Sequence, residues 1–355
     1  MIVDAFSGAG GWHVGAARLG LHPVGIEFDA DACATAKAAG HHVVRQDVTT
    51  LSLKHLLGKV EGLVGSPPCT DFSKAGKRRG IRGETGSLIF QMERLWLECR
   101  PEWIALEQVP EVLPFWSMFA NALRQIGYDT WCGILDSADY GVPQNRLRAI
   151  LIASRVREVG PPPPTHAEHP HPVMFGAELL PWVSMAGALG HEFACRLLST
   201  PWLGDPRPCS SSARTVAFGH DVNSWEWHLD THRDQRRDGT TQTREIQAPA
   251  PAITGKSAGQ WAFERPATTV MCDSRIFPPT GHHPYQQQDS WSCRAVKVTL
   301  EELAALQSFP PGYPFVGSKT SRARQIGNAI PSLLAMHVLA MASGVLVPLL
   351  QEVTR

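Results

Sequence analysis

Gly65-Ser66-Pro67-Pro68-Cys69-Thr70-Asp71-Phe72-Ser73 contains the side chain best suited to covalent chemistry. A thiol attacks only as thiolate, and neighbouring cations favour that form. Two prolines fix the backbone just ahead of Cys69. The residues after it supply Lys74, Lys77, Arg78, Arg79 and Arg82 among Gly76, Gly80, Gly83 and Gly86. Such a loop suits phosphate groups, although a solvated surface loop has the same composition. On its own, Cys69 reads as a small buried thiol. Its company alters that reading. Leu106-Glu107-Gln108-Val109-Pro110 puts a carboxyl at the end of an apolar run, and Tyr140 to Arg148 brings Gln144, Arg146 and Arg148 at alternate positions into another. Alternate residues of an extended backbone project to one face.

A second group of residues suits a nucleoside. Asp4-Ala5-Phe6-Ser7-Gly8-Ala9-Gly10-Gly11 follows one apolar run and opens a helical segment. Glycines there let the backbone turn tightly and approach a ligand closely. Glu27 ends the next apolar run, where a carboxylate accepts ribose hydroxyls. Phe28 is placed to stack on a purine, and Asp47, just past Val43-Val44-Arg45, to accept an adenine amino group. An ordinary tight turn explains the glycines equally well. The full G-x-G-x-x-G pattern is missing, which disfavours a dinucleotide.

These residues need elements to hold them. Ile2–Phe6, Val24–Glu27, Gly62–Gly65, Trp103–Glu107 and Ala149–Ala153 read as strands, and His13–Leu19 and Asp31–Ala39 as helices. The alternation predicts a parallel sheet covered by helices, with ligands at the carboxyl ends of its strands. The character changes at Pro161-Pro162-Pro163-Pro164, a stiff connector. Residues 161–294 are rich in Pro, Gly, His and Trp and read as an irregular, β-containing lobe. Ala250–Thr254 and Arg265–Val270 echo each other faintly, as paired strands or by chance. Helical pattern returns at Thr299, an N-cap with Glu302 three residues on. The expected domains are therefore 1–160, completed by 295–355, with 161–294 inserted.

Bulk composition narrows the classes. Lys and Arg number 33, as do Asp and Glu, so nucleic-acid binding must rest on local patches. The 8 cysteines form no C-x-x-C pair and read as reduced thiols of a cytosol. A strand starting at Ile2 leaves no room for a signal peptide. Ile330–Leu350 is long and apolar enough to suggest a membrane span, but it includes His337, Pro331 and Pro348 and reads as a buried core helix. Cys272, His282, His283 and Cys293 lack a standard zinc spacing, and no metal is expected.

Together the motifs resemble the DNA (cytosine-5) methyltransferase family. Phe-Ser-Gly-x-Gly-Gly, Pro-Cys, Gln-x-Arg-x-Arg and Gly-Asn-Ala-x-Pro occur in the family's order, and Arg294–Pro310 is similar to the segment before the last motif. The match covers residues 1 to about 155 and about 294 to 340. The resemblance implies a Rossmann-like S-adenosylmethionine-dependent methyltransferase sheet with an inserted, β-rich target-recognition domain. It implies that Phe6, Ser7, Gly8, Gly10, Gly11, Glu27, Phe28, Asp47, Val48, Pro67, Asn328 and Ile330 hold the cofactor, with S-adenosylhomocysteine as product. Cys69 would be the nucleophile, Glu107 the group on the base, and Arg146, Arg148 and Gln144 its supports. Double-stranded DNA would be the partner, of a monomer in the bacterial cytosol or encoded by a phage. Contacts to DNA would come from Ser73, Lys74, Lys77, Arg78, Arg79, Arg233, Arg236, Arg237, Arg244, Thr269 and Val270. One departure stands out: the family usually has Asn where this chain has Gln108, which shifts a loop-positioning hydrogen bond. A catalytically silent DNA-binding relative, an RNA cytosine-5 methyltransferase and an unusual methyl donor remain as alternative readings.

Overall fold

The structure is a computed structural model that describes residues 1–68, 86–170, 178–184, 187–189 and 299–348. Seven strands form one sheet: β1 (Ile2–Ala5), β2 (Val24–Glu27), β3 (His42–Arg45), β4 (Gly62–Gly65), β5 (Trp103–Gln108), β6 (Asp129–Asp136) and β7 (Leu147–Ser154). Their order is β3-β2-β1-β4-β5-β7-β6. The first five run parallel. β7 does not: it pairs antiparallel with β5 and with β6, so the parallel sheet expected from the sequence is mixed. The connection 137–146 is the physical reason. It holds only a 3-10 turn, Ser137–Tyr140, whereas a parallel return takes a crossover of about a dozen or more residues. A short parallel pair, β8 (His166–Ala167) with β9 (Leu180–Pro181), lies beyond Pro161-Pro162-Pro163-Pro164.

Both sheet faces are apolar, as a helix-covered sheet requires. On one face Val3, Leu63, Ile104, Leu106 and Leu151 pack against α3 (Ile89–Cys99) and α4 (Leu113–Gln125) through Met92, Trp96, Trp116 and Phe119. α3 buries Ile89, Met92, Leu95, Trp96 and Cys99, an i, i+3, i+7 stripe. On the other face Ile2, Val64, Ala105, Ile150 and Ile152 meet α1 (Gly11–Ala17) and α7 (Ser332–Ser343). α2 (Ala30–Ala38) connects β2 to β3, its first turn capped by Asp29.

Residues near the far end of the chain pack in one cluster with residues of β1, α1 and β4. α5 (Leu300–Leu306) opens with a capping box in which Thr299 Oγ1 accepts the Glu302 N–H and the Glu302 carboxylate accepts the Thr299 N–H, as the sequence predicts. α6 (Lys319–Asn328) is capped by Ser318. α7 lies directly on α1. A Cβ on Gly15 would stand 2.7 Å from both the Ser332 carbonyl and the Met336 nitrogen, so the two helices meet backbone to backbone. The stretch Lys319–Ser343 is long and apolar enough to cross a membrane, but 78% of its most apolar window is buried inside the protein and Ala329–Pro331 interrupts it.

Candidate active site

The glycine-rich turn leaves the carboxyl end of β1 with three left-handed residues: Phe6 (φ 62°), Gly8 (φ 55°) and Gly10 (φ 100°). For Phe6 that conformation costs roughly 1–2 kcal/mol, so neighbours must enforce it. The Ser7 N–H donates to the Ile26 carbonyl at 3.1 Å and the Gly10 N–H to the Ser7 carbonyl at 3.1 Å. The Gly8 N–H donates to Glu27 Oε2 at 2.8 Å. Glu27 Oε1 accepts the N–H groups of Phe28 and Asp29, each at 2.7 Å. Phe28 is left 68% exposed beside this carboxylate. Asp47 caps the turn Val48–Thr50, accepting the Thr49 N–H at 2.8 Å. Arg94 of α3 anchors that turn by donating to the Val48 carbonyl at 2.7 Å and the Leu51 carbonyl at 2.6 Å.

A nucleoside-bearing cofactor fits this surface. A Cβ on Gly8 would meet nothing within 4 Å, so the turn is open on that side. The buried Ser7 hydroxyl has no hydrogen-bond partner among the described residues. Exposed Phe28 supplies an aromatic face.

The next strand over leads to the chemistry. Gly65 of β4 pairs with Leu106 of β5, so the Pro67-Pro68 segment leaves the sheet beside Glu107 and Gln108. Trp12 Nε1 donates to Ser66 Oγ at 3.0 Å, tying helix α1 to that exit. The Gln108 amide is buried; its Nε2 donates to the Pro67 carbonyl, and its Oε1 accepts the Val109 N–H. Gln108 is therefore a clamp on the backbone two residues ahead of Cys69. Glu107 is buried, and Arg148 Nε meets its Oε1 at 2.8 Å. The guanidinium supplies the counter-charge that a buried carboxylate requires.

The two arginines of the Gln-x-Arg-x-Arg motif diverge in their partners. Arg146 Nη2 donates to the Gly327 carbonyl at 2.8 Å and the Ala329 carbonyl at 3.2 Å, fastening the last motif to the sheet. Gln144, fully buried, donates to the Leu306 carbonyl at 3.1 Å. Asn328 is exposed at the end of α6. Ile330 is buried, and its carbonyl lies 2.5 Å from where a Gly11 Cβ would be. A bulkier residue at Gly11 is thereby excluded.

Cys69 lies outside the described residues, as do Ser73, Lys74, Lys77, Arg78, Arg79 and Arg82. So do Arg233, Arg236, Arg237, Arg244, Thr269 and Val270, the echoed segments 250–254 and 265–270, and Cys272, His282, His283 and Cys293. Sequence reasoning passed over a polar cluster beneath the glycine-rich turn: Asp4, His13, His41 and Tyr313. His13 Nε2 stands 3.3 Å from Asp4 Oδ2, and burial pushes the Asp4 carboxyl above its usual range. No spacing motif links residues so far apart, so only the fold reveals them.

A family model described as C-5 cytosine-specific DNA methylase matches residues 1–342. The chain belongs to that family. It is thus a DNA cytosine-5 methyltransferase, as the motif resemblance implies. Among similar proteins, the Type II methyltransferase M1.HphI of Haemophilus parahaemolyticus is 29% identical over 95% of this chain and 84% of its own. The Type II methylase M.HgiDII of Herpetosiphon aurantiacus is 26% identical over 94% and 92%. The fold of this methyltransferase is similar to a crystal structure of a DNA modification methyltransferase encoded within an E. coli prophage, with a TM-score of 0.58 and 21% identity over 97% and 98% of the two chains. It is also similar to the S. pombe Dnmt2 methyltransferase, with a TM-score of 0.54 and 14% identity over 96% and 97%. At these identities the solved structures bear on the fold: the Rossmann-like sheet of the methyltransferases.

Proposed function

We propose that this methyltransferase modifies carbon 5 of a flipped-out cytosine in a specific double-stranded DNA sequence, using S-adenosylmethionine and a covalent Cys69–cytosine intermediate. The observation that carries the reading is the juxtaposition of β4 and β5. Gln108 grips the Pro67 carbonyl while Glu107, one residue earlier, is held by Arg148. A nucleophile presented on the β4 exit and a carboxylate on β5 then address the same base.

Residues at the carboxyl ends of β1, β2 and β3 would hold the cofactor. Ser7, Gly8, Gly10 and Gly11 line its methionine side, with Phe6 in the same turn. Glu27 accepts a ribose hydroxyl at the Oε2 lone pair that Gly8 leaves. Phe28 lies against the adenine, Asp47 takes its amino group through Oδ2, and Val48, Pro67, Asn328 and Ile330 close the pocket. Bound there, S-adenosylmethionine supplies an electrophilic sulfonium methyl group. Carbon 5 of cytosine is a weak nucleophile. Addition of the Cys69 thiolate to carbon 6 converts the ring to an enamine, which makes carbon 5 reactive. Glu107 bonds the ring N3 and exocyclic amino group and stabilises the charge that develops. After methylation, removal of the carbon 5 proton restores the ring double bond and expels the thiolate. A stacked base is out of reach of all these groups, so the cytosine is flipped out. Residues 161–294 choose the sequence, with Thr269 and Val270 near the flipped base and Arg233, Arg236, Arg237 and Arg244 on the duplex. Ser73, Lys74, Lys77, Arg78 and Arg79 grip the backbone. The relatives named Type II methyltransferases support a modification role in a restriction system.

Expression in a host free of DNA methylation, with sequencing of modified cytosines, tests this. The expected result is 5-methylcytosine in one short sequence context with the wild type and none with Cys69→Ser. Cofactor binding without any modified cytosine would instead support the catalytically silent reading. Methylated tRNA with unmodified DNA would support the RNA reading.

A further inference from the structure

The cluster beneath the glycine-rich turn supports one step more. Tyr313, in the connection between α5 and α6, donates its hydroxyl to the Ala9 carbonyl at 2.5 Å. The same hydroxyl lies 3.1 Å from His41 Nε2. The His41 ring lies 5.0 Å from the His13 ring, and His13 reaches Asp4. Phe309 and Phe315 hold the Tyr313 ring at centroid distances of 4.8 and 4.9 Å.

We propose that Tyr313, oriented by His41, is a positioning residue that holds the cofactor turn in its binding shape. Ala9 lies between Gly8 and Gly10, two of the three left-handed residues of the turn. The other bonds that fix this turn come from within it, from β2 and its carboxylate, or from α1, whose Val14 N–H donates to the Gly10 carbonyl at 2.9 Å. Tyr313 adds a side-chain hydrogen bond from the far end of the chain, where Ile330 also packs against Gly11. Tyr313 and His41 also crowd the turn from one side, each within 2.9 Å of a Cβ placed on Gly10. Gly8 remains open on its own. The turn is therefore braced from beneath while its ligand-facing surface stays free. His41 serves as a neutral donor: burial, with His13 beside it, pulls its pKa down to about 4. A neutral imidazole donates Nε2–H to the phenol oxygen, which leaves the phenol proton for Ala9.

This inference rests on the cofactor reading above, and one titration separates the two. Calorimetric binding of S-adenosylhomocysteine to wild type is the baseline. Tyr313→Phe keeps the ring and removes the hydroxyl. Its Kd should rise about five- to tenfold, the equivalent of one buried hydrogen bond. The KM for S-adenosylmethionine should rise by a similar factor, with kcat changed by less than about twofold. A merely structural tyrosine would lower the melting temperature and leave the Kd of the folded protein unchanged. The His41 pair gives an independent readout. His41→Ala should weaken binding, and His41→Gln, which keeps a donor, should restore most of it. An unaltered Kd in Tyr313→Phe, or equal Kd values in the two His41 variants, would overturn the proposal. If Tyr313→Phe does not fold, the His41 pair decides. Failure of wild type to bind S-adenosylhomocysteine would overturn the cofactor reading and this proposal with it.

Discussion

At the scale of single residues, the most consequential finding is how Glu107 and Gln108 divide their work. Neighbours on one strand point to opposite faces, and here one meets Arg148 while the other meets the Pro67 carbonyl. Glu107→Gln keeps the shape and removes the charge. We expect kcat to fall by about a hundredfold or more, within the range of acid–base groups, with S-adenosylhomocysteine affinity retained. Gln108→Ala removes the clamp but no reacting group. A loosened nucleophile segment should cost about tenfold in kcat through lost orientation, with little change in the KM for cofactor. Single-turnover rates measured beside calorimetric Kd values check both. Gln108 also shows what the sequence conveyed and what it did not. Its departure from the family's usual Asn was visible, as was a role in positioning the loop. That the longer amide still reaches the Pro67 carbonyl required the register of β4 against β5.

At the scale of elements, the site depends on helix α1 lying flush against α7. Gly15 allows the contact, because any Cβ there would overlap the Ser332 carbonyl and the Met336 nitrogen, both rigid backbone. Gly15→Val should destabilise the fold by about 1–3 kcal/mol or more, which urea denaturation would show. The strands that the sequence made legible are the central ones. Gly62–Gly65 and Trp103–Gln108 are covered on both faces and carry continuous apolar runs. The strands that it hid, β3 and β6, are the two edges of the sheet. β3 has no fully buried residue and β6 has two, so neither carries a strong apolar signal. The direction of β7 was illegible for a different reason: an apolar strand buried on both faces looks the same whichever way it runs.

At the scale of the whole molecule, the two ends of the chain share one core, and its stability depends on acidity through His337. That ring is buried in α7, 5.2 Å from the Tyr140 ring. Burial, with His166 nearby, lowers its pKa from 6.5 to about 4. Between those values the unfolded chain binds a proton that the native protein refuses. Stability therefore falls as pH drops from 6.5 toward 4, by up to about 1.4 kcal/mol per pH unit from this residue. Urea midpoints across that window should show a shallower slope for His337→Gln than for wild type.

The central claim is that Cys69 bonds carbon 6 of the target cytosine, and trapping that bond tests it most directly. In a duplex bearing 5-fluorocytosine at the mapped target position, the fluorine occupies the place of the proton that must leave, so elimination after methyl transfer stalls with the thioether intact. With S-adenosylmethionine present, the wild type should form a denaturation-resistant protein–DNA species, and mass spectrometry should place the modified base on Cys69. Cys69→Ser should form none. Wild-type 5-methylcytosine production without any trapped adduct, or an adduct on another residue, would contradict the account.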